Sequence, residues 1–127
     1  SFGEPAYAII AELLHLRERL KPYIMAQMAA AHERGTPPMR PLFYDFPEDA
    51  RAWRVEDQFL FGPDLLVAPV LFQGASSRQV YLPAGAIWTD AWSGEGVKGG
   101  QRITVEAPLA RIPLYFRDHA RLPISAT

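Results

Sequence analysis

The sequence predicts an α+β protein in which one long kinked N-terminal helix precedes a mostly antiparallel β-sandwich. Two observations carry this. From Glu4 to about Arg34, apolar residues recur at three- and four-residue spacing, at Ile9, Ile10, Leu13, Leu16, Leu20, Ile24 and Met28, which is the period of an amphipathic helix. After Gly35 that period disappears. Short extended runs follow, separated by Gly, Pro or Ser turn signals at intervals of roughly a dozen residues, the spacing of an antiparallel sandwich.

Each element has its own local signals. Pro5 suits a first helical turn, and Gly35 suits the left-handed position past the last one. Pro22 removes one backbone donor and crowds the preceding turn, so a kink is expected there. A complete break is disfavoured because the apolar stripe keeps its phase from Leu16 through Leu20 to Ile24. Thr36-Pro37-Pro38 cannot continue the helix. Met39 to Phe46 reads as extended, Pro47 to Trp53 as a short helical turn, and Gly62-Pro63-Asp64 as a turn. Strands are expected at Leu65–Leu71, Arg78–Leu82, Ile87–Trp92, Gln101–Glu106 and Ile112–Arg117, with a further one around Ala120–Ile124.

Composition excludes several function classes. Lys plus Arg number 13 and Asp plus Glu 14, so no basic surface exists for a polyanion, and nucleic acid is not an expected partner. The chain has no cysteine, which removes disulfides, thiolate nucleophiles and Cys-type metal sites. No apolar run approaches the roughly 18 residues a membrane helix needs, and the first residues lack a basic signal-peptide region. The expectation is a soluble protein without a membrane partner, in a compartment that the sequence leaves open with cytoplasm favoured.

Metal binding is not expected, because His15, His32 and His119 lack the i, i+4 spacing that brings two imidazoles to one ion. Ser76, Ser77 and Ser93 sit in turn contexts without a nucleophile elbow. Gly94, Gly96, Gly99 and Gly100 carry the letters of a phosphate-binding loop, yet a strand follows them rather than a helix, so a Gly-rich hairpin loop is expected. Carboxylates remain: Asp45, Glu48, Asp49, Glu56, Asp57 and Asp64 fall in one window. A carboxylate pair can run glycoside hydrolysis. Structural work explains them better, with Glu48 and Asp49 opening the helical turn, Asp57 capping or pairing with Arg54, and Asp64 in a turn. Trp88-Thr89-Asp90-Ala91-Trp92, read as strand, sets both indoles and a carboxylate on one face, the composition of a sugar platform. Core packing is the stronger reading for two large aromatics in that position.

Longer stretches carry a family resemblance. Leu16-Arg17-Glu18-Arg19-Leu20-Lys21-Pro22-Tyr23-Ile24, Ala31-His32-Glu33-Arg34-Gly35-Thr36-Pro37 and Met39-Arg40-Pro41-Leu42-Phe43 resemble the last part of the catalytic barrel in family-31 glycoside hydrolases. Asp57 to Val70, Val80 to Gly85, Trp88 to Gly94 and Ala107 to Leu114 resemble the barrel exit and the first β-sandwich behind it. Bacterial α-glucosidases and α-xylosidases are the nearest members.

The resemblance implies a retaining α-glycosidase parent with an Asp nucleophile, an Asp acid/base, a (β/α)8 barrel and no cofactor. Both catalytic aspartates belong to segments preceding this chain, so no residue here receives a catalytic, cofactor or metal role. Residues 1–35 would close the barrel, 36–64 would be a connector with a short helical turn, and 65–127 would be the proximal sandwich. The implied partner is the missing barrel portion of the parent, any signal peptide lies upstream, and the uncovered helix face should self-associate. Pro38 stands where the family usually has an apolar residue. Asp118-His119-Ala120 stands where it has a Gly-containing turn, so any positive φ there falls to Asp or His. A free-standing carbohydrate-binding module using Trp88 and Trp92, or a non-catalytic interaction domain, are the alternatives.

Overall fold

The computed structural model describes residues 3–70, 74, 76–107, 112–118, 120 and 122, with side chains from Leu14 onward. The stripe positions Ile9, Ile10 and Leu13, together with His119, the Leu109 to Arg111 segment and most of the Ala120–Ile124 strand expectation, lie outside the described residues or side chains.

Helix α1 spans Gly3–Arg34 and continues through Pro22. Gly35, at φ 72°, ends it by returning its N–H to the Ala31 carbonyl at 3.0 Å. The expected extended stretch from Met39 to Phe46 is corrected: only Met39–Arg40 forms a strand, β1, and Leu42–Asp45 forms a one-turn helix, α2. Pro41 sets the entry, with Tyr44 N–H bonding its carbonyl, and the turn brings Leu42 and Phe46 together in the core. A 3-10 turn follows at Ala50–Arg54, overlapping the helical turn expected at Pro47 to Trp53. Asp49 caps it, its carboxylate accepting from the Arg51 N–H at 3.0 Å.

The strands are β2 Phe59–Phe61, β3 Leu65–Val67, β4 Ser77–Leu82, β5 Ile87–Asp90, β6 Gly96–Lys98, β7 Gln101–Glu106 and β8 Leu114–Arg117. Several differ from expectation: β2 forms where no strand is expected, β3 ends at Val67, short of the expected Leu71, and β8 begins at Leu114 rather than Ile112. Gly96–Lys98 is a strand paired with β5 rather than part of one loop, and β5 stops at Asp90, where Ala91 to Ser93 turn away. All pairs are antiparallel, in one six-stranded sheet ordered β1-β2-β3-β8-β5-β6 and one two-stranded sheet β4-β7. The connector between helix and sandwich thus supplies β1 and β2 to the larger sheet.

Alternation along the strands builds three layers. Leu66 and Tyr115 point inward to Val80, Tyr81, Leu82 and Trp88, between the two sheets. Leu65, Leu114 and Phe116 point outward and are covered by Leu16 and Leu20 of α1. Strands β3 and β8 are therefore buried on both faces, with the helix on one side and the small sheet on the other. Asp118 ends β8 at φ 55°, the only non-glycine positive φ among the described residues. Its N–H donates to the Ile87 carbonyl at 2.6 Å and its carboxylate accepts from the Ile87 N–H at 3.1 Å, so the expected left-handed turn is carried by Asp.

Candidate functional site

The junction between α1 and the sheet is a specifically built polar contact. Tyr23, on the helix face that carries Leu16 and Leu20, donates its hydroxyl hydrogen to the Phe61 carbonyl at 2.7 Å and accepts from the Asp64 N–H at 3.1 Å. One phenol thereby satisfies both sides of the β2–β3 turn. Burial, opposed by the Asp64 hydrogen bond, pushes its pKa up to about 12, so it stays protonated as a donor. Gly62 permits the approach. It sits at φ 64°, and a Cβ there would collide with the Tyr23 hydroxyl and lie 2.7 Å from Gln27 Cδ.

The connector is fastened with equal care. Gln58, 4 % exposed, donates from Nε2 to the Tyr81 carbonyl and accepts from the Tyr81 N–H, both at 2.7 Å, so a side-chain amide pairs with β4 as a strand would. Arg40 grips Asp45 through two bonds of 2.7 and 3.0 Å and the Pro37 carbonyl at 3.0 Å. Asp49 accepts from Arg51, Tyr81 and Ala84. Burial works to raise its carboxyl, but these hydrogen bonds outweigh it and the pKa is lowered.

The acidic window therefore divides among separate structural contacts. Asp57 pairs with Arg78 at 3.0 Å, not with Arg54 as expected, because β4 brings Arg78 alongside and its guanidinium also donates to the Asp57 and Pro69 carbonyls. Glu48 and Glu56 are exposed. Ser76, Ser77 and Ser93 lie at the start of β4 and in the turn after β5, and His15 and His32 are exposed on α1.

The two tryptophans of the 88–92 motif part company. Trp88 is fully buried between the sheets, with Nε1 donating to the Pro83 carbonyl at 3.0 Å, and presents no ring face to a ligand. Trp92, past the end of β5, packs instead against the helix-side cluster, its Nε1 donating to the Ile112 carbonyl at 2.8 Å. The turn that redirects it is pinned by Asp90, whose Oδ1 accepts from the Trp92 and Ser93 N–H groups at 2.8 and 3.1 Å. Trp92 and Asp90 border a cleft of about 630 Å³ that also takes Glu95, Thr104, Glu106 and Tyr115. Sequence reasoning missed the last four, since they come from three further segments that only the sheets bring together. It also missed an exposed pair: Trp53, 54 % exposed, stacks on Phe43 with ring centroids 4.1 Å apart. The spacing of these two across the 3-10 turn leaves no periodic signal.

Comparison with known proteins agrees with this architecture. Residues 35–120 match the model of the glycosyl hydrolase family 31 C-terminal domain. The chain belongs to that family. It is 35% identical over 98% of its length to alpha-glucosidase 2 of Bacillus thermoamyloliquefaciens, spanning 16% of that protein. To an alpha-xylosidase of Saccharolobus solfataricus it is 36% identical over 91% of its length, again spanning 16%. A crystal structure of a family-31 α-xylosidase from a soil metagenome, complexed with xylose, superposes with a TM-score of 0.86 at 54% identity, covering 94% of this chain and 18% of that one. The chain thus corresponds to a small C-terminal part of much longer relatives.

Proposed function

We propose that this chain is the C-terminal structural part of a retaining α-glycosidase of the α-glucosidase or α-xylosidase class, which hydrolyses terminal α-linked sugars, and that the chain alone is inactive. The observation that carries the reading is the 0.86 superposition on 18% of an α-xylosidase. Its work is mechanical. Barrel enzymes build their sites from loops at one face of the barrel, and a packed domain behind them holds those loops in place. The Tyr23–Gly62 junction is the rigid joint through which α1 would transmit that support.

The opposite face of α1 fits this role. At about 100° per residue, Leu14, Met25 and Met28 share one side of the helix, away from Leu16, Leu20 and Tyr23. They are 56, 62 and 55% exposed. In the parent this side packs on the barrel; in the isolated chain a second copy covers it. Light scattering tests this second point: Met25→Glu should turn an oligomer into a folded monomer, and a monomeric unsubstituted chain would refute it.

The main reading is tested by assaying aryl α-xylosides and α-glucosides with the chain and with the longer protein encoded by its gene. The long form should turn over at least one, and the chain neither. Inactivity of the long form, or turnover by the chain that Asp57→Asn or Asp64→Asn abolishes, would overturn it.

A further inference from the structure

We propose that the cleft bounded by the β5–β6 hairpin, β7 and β8 is a binding site for a neutral pyranose sugar. The sugar class rests on the glycosidase reading above; the site itself rests on the cleft.

Its volume, about 630 Å³, is that of a small-ligand pocket. The floor is Tyr115. This residue is 2 % exposed, and its hydroxyl has no hydrogen-bond partner among the described residues. No buried side-chain polar atom among those residues is left unsatisfied, so the hydroxyl must reach solvent, and the cleft it lines is where it does so. Burial first, then the carboxylates of Asp90 and Glu95, raise its pKa, which keeps it a donor at any physiological pH. Both carboxylates line the same cleft. Asp90 spends Oδ1 on the turn and leaves Oδ2 for a ligand. Trp92 is held at the border by its Nε1 bond to Ile112.

The set of groups selects the ligand. Asp90, Glu95 and Glu106 repel phosphates and other anions. A metal ion needs ligands converging on one point, and no three acidic or imidazole groups among the described residues do so. A cationic ligand would use the carboxylates but waste the Tyr115 donor. A pyranose uses these groups together: hydroxyls that donate to spaced carboxylates, an oxygen that accepts from Tyr115, and an apolar C–H face for the aromatic border.

The test is a titration of the full 127-residue chain with methyl α-xyloside, methyl α-glucoside and isomaltose, followed by amide chemical shifts. Saturable shifts are expected at Asp90 to Glu95 and Thr104 to Glu106. Tyr115→Phe, which removes one oxygen, should weaken binding about tenfold. Glu95→Gln on the exposed rim should weaken it similarly, and it decides the matter if Tyr115→Phe fails to fold. Trp53→Ala should change nothing. Absence of saturable shifts, shifts that map to Phe43 and Trp53, unchanged affinity in a folded Tyr115→Phe or Glu95→Gln variant, or preference for glucosamine over the neutral sugars would each overturn the proposal. None of these outcomes touches the hydrolysis assay, so the two readings fail separately.

Discussion

Replacing Gly62 with Ala should cost about 2–5 kcal/mol of stability, and about half of that loss or more should depend on Tyr23. The backbone at φ 64° costs an L-residue roughly 1–2 kcal/mol. The added methyl also occupies the position of the Tyr23 hydroxyl, which must move off the Phe61 carbonyl and the Asp64 N–H. Two such hydrogen bonds are worth about 1–3 kcal/mol together. Gln27 is the other neighbour, and its flexible end yields more easily. Tyr23→Phe removes both hydrogen bonds and the colliding oxygen at once. Gly62→Ala in that background should therefore cost only the backbone share, so the double variant is about 1–3 kcal/mol more stable than additivity predicts. Urea unfolding of the four proteins, followed by circular dichroism and fluorescence with m-values held equal, measures this. Additivity within about 0.5 kcal/mol would refute the claim that the phenol is what Gly62 makes room for.

The remaining expectations concern the core, the connector and pH. Trp88→Ala should cost about 3–5 kcal/mol by emptying the space between the sheets, measured by the same unfolding assay; a loss under about 1 kcal/mol would contradict full burial. Gln58→Leu keeps the volume but strands the buried Tyr81 N–H and carbonyl, and should cost about 2–4 kcal/mol with faster amide exchange at Tyr81. Tyr23 and Tyr81 both have pKa values raised from 10.0 to about 12, in each case chiefly by burial. The unfolded chain releases these protons first, so their stabilisation is complete below pH 10 and is lost as pH climbs toward 12, which urea midpoints across that range will show and Tyr23→Phe will diminish. Asp49 acts at the other end: its lowered pKa contributes stability above the ordinary carboxylate range that disappears as pH falls through the folded value, and Asp49→Asn should flatten that acid limb.

Much of this molecule follows from the sequence by itself. The four-residue spacing of Leu16, Leu20 and Ile24 defines α1 and the face it buries, because a helix shows its periodicity within a few turns. The helix end at Gly35 and the Asp49 cap of the 3-10 turn are local too, each set by a residue and its immediate neighbours. The runs at β4, β7 and β8 are marked by turn residues on either side. The resemblance to the end of a glycosidase barrel spreads over enough of the chain to identify the family.

Tertiary structure decided which segments meet. Residues 39–40 and 59–61 fall in the connector, and two- and three-residue strands carry too few positions to show alternation; pairing of β2 with β3, and of β1 with β2, is what makes them strands. Leu42 to Asp45 turns helical because Leu42 and Phe46 gain the core and Asp45 gains Arg40, contacts that no local propensity encodes. Asp57 finds Arg78 rather than its nearer neighbour Arg54 for the same reason. The tryptophan motif shows the limit most clearly. Period-two reasoning put Trp88 and Trp92 on one face, but the chain leaves the sheet at Asp90, where the Asp90 carboxylate captures two backbone N–H groups. A side chain that bonds its own backbone ends a strand without altering its hydrophobic pattern, so Trp88 joins the core between the sheets and Trp92 the layer beneath the helix. Tyr115, Glu95 and Thr104 meet only once β5, β6, β7 and β8 have assembled, because a cleft drawn from separate strands is a property of their packing and leaves no spacing in the chain.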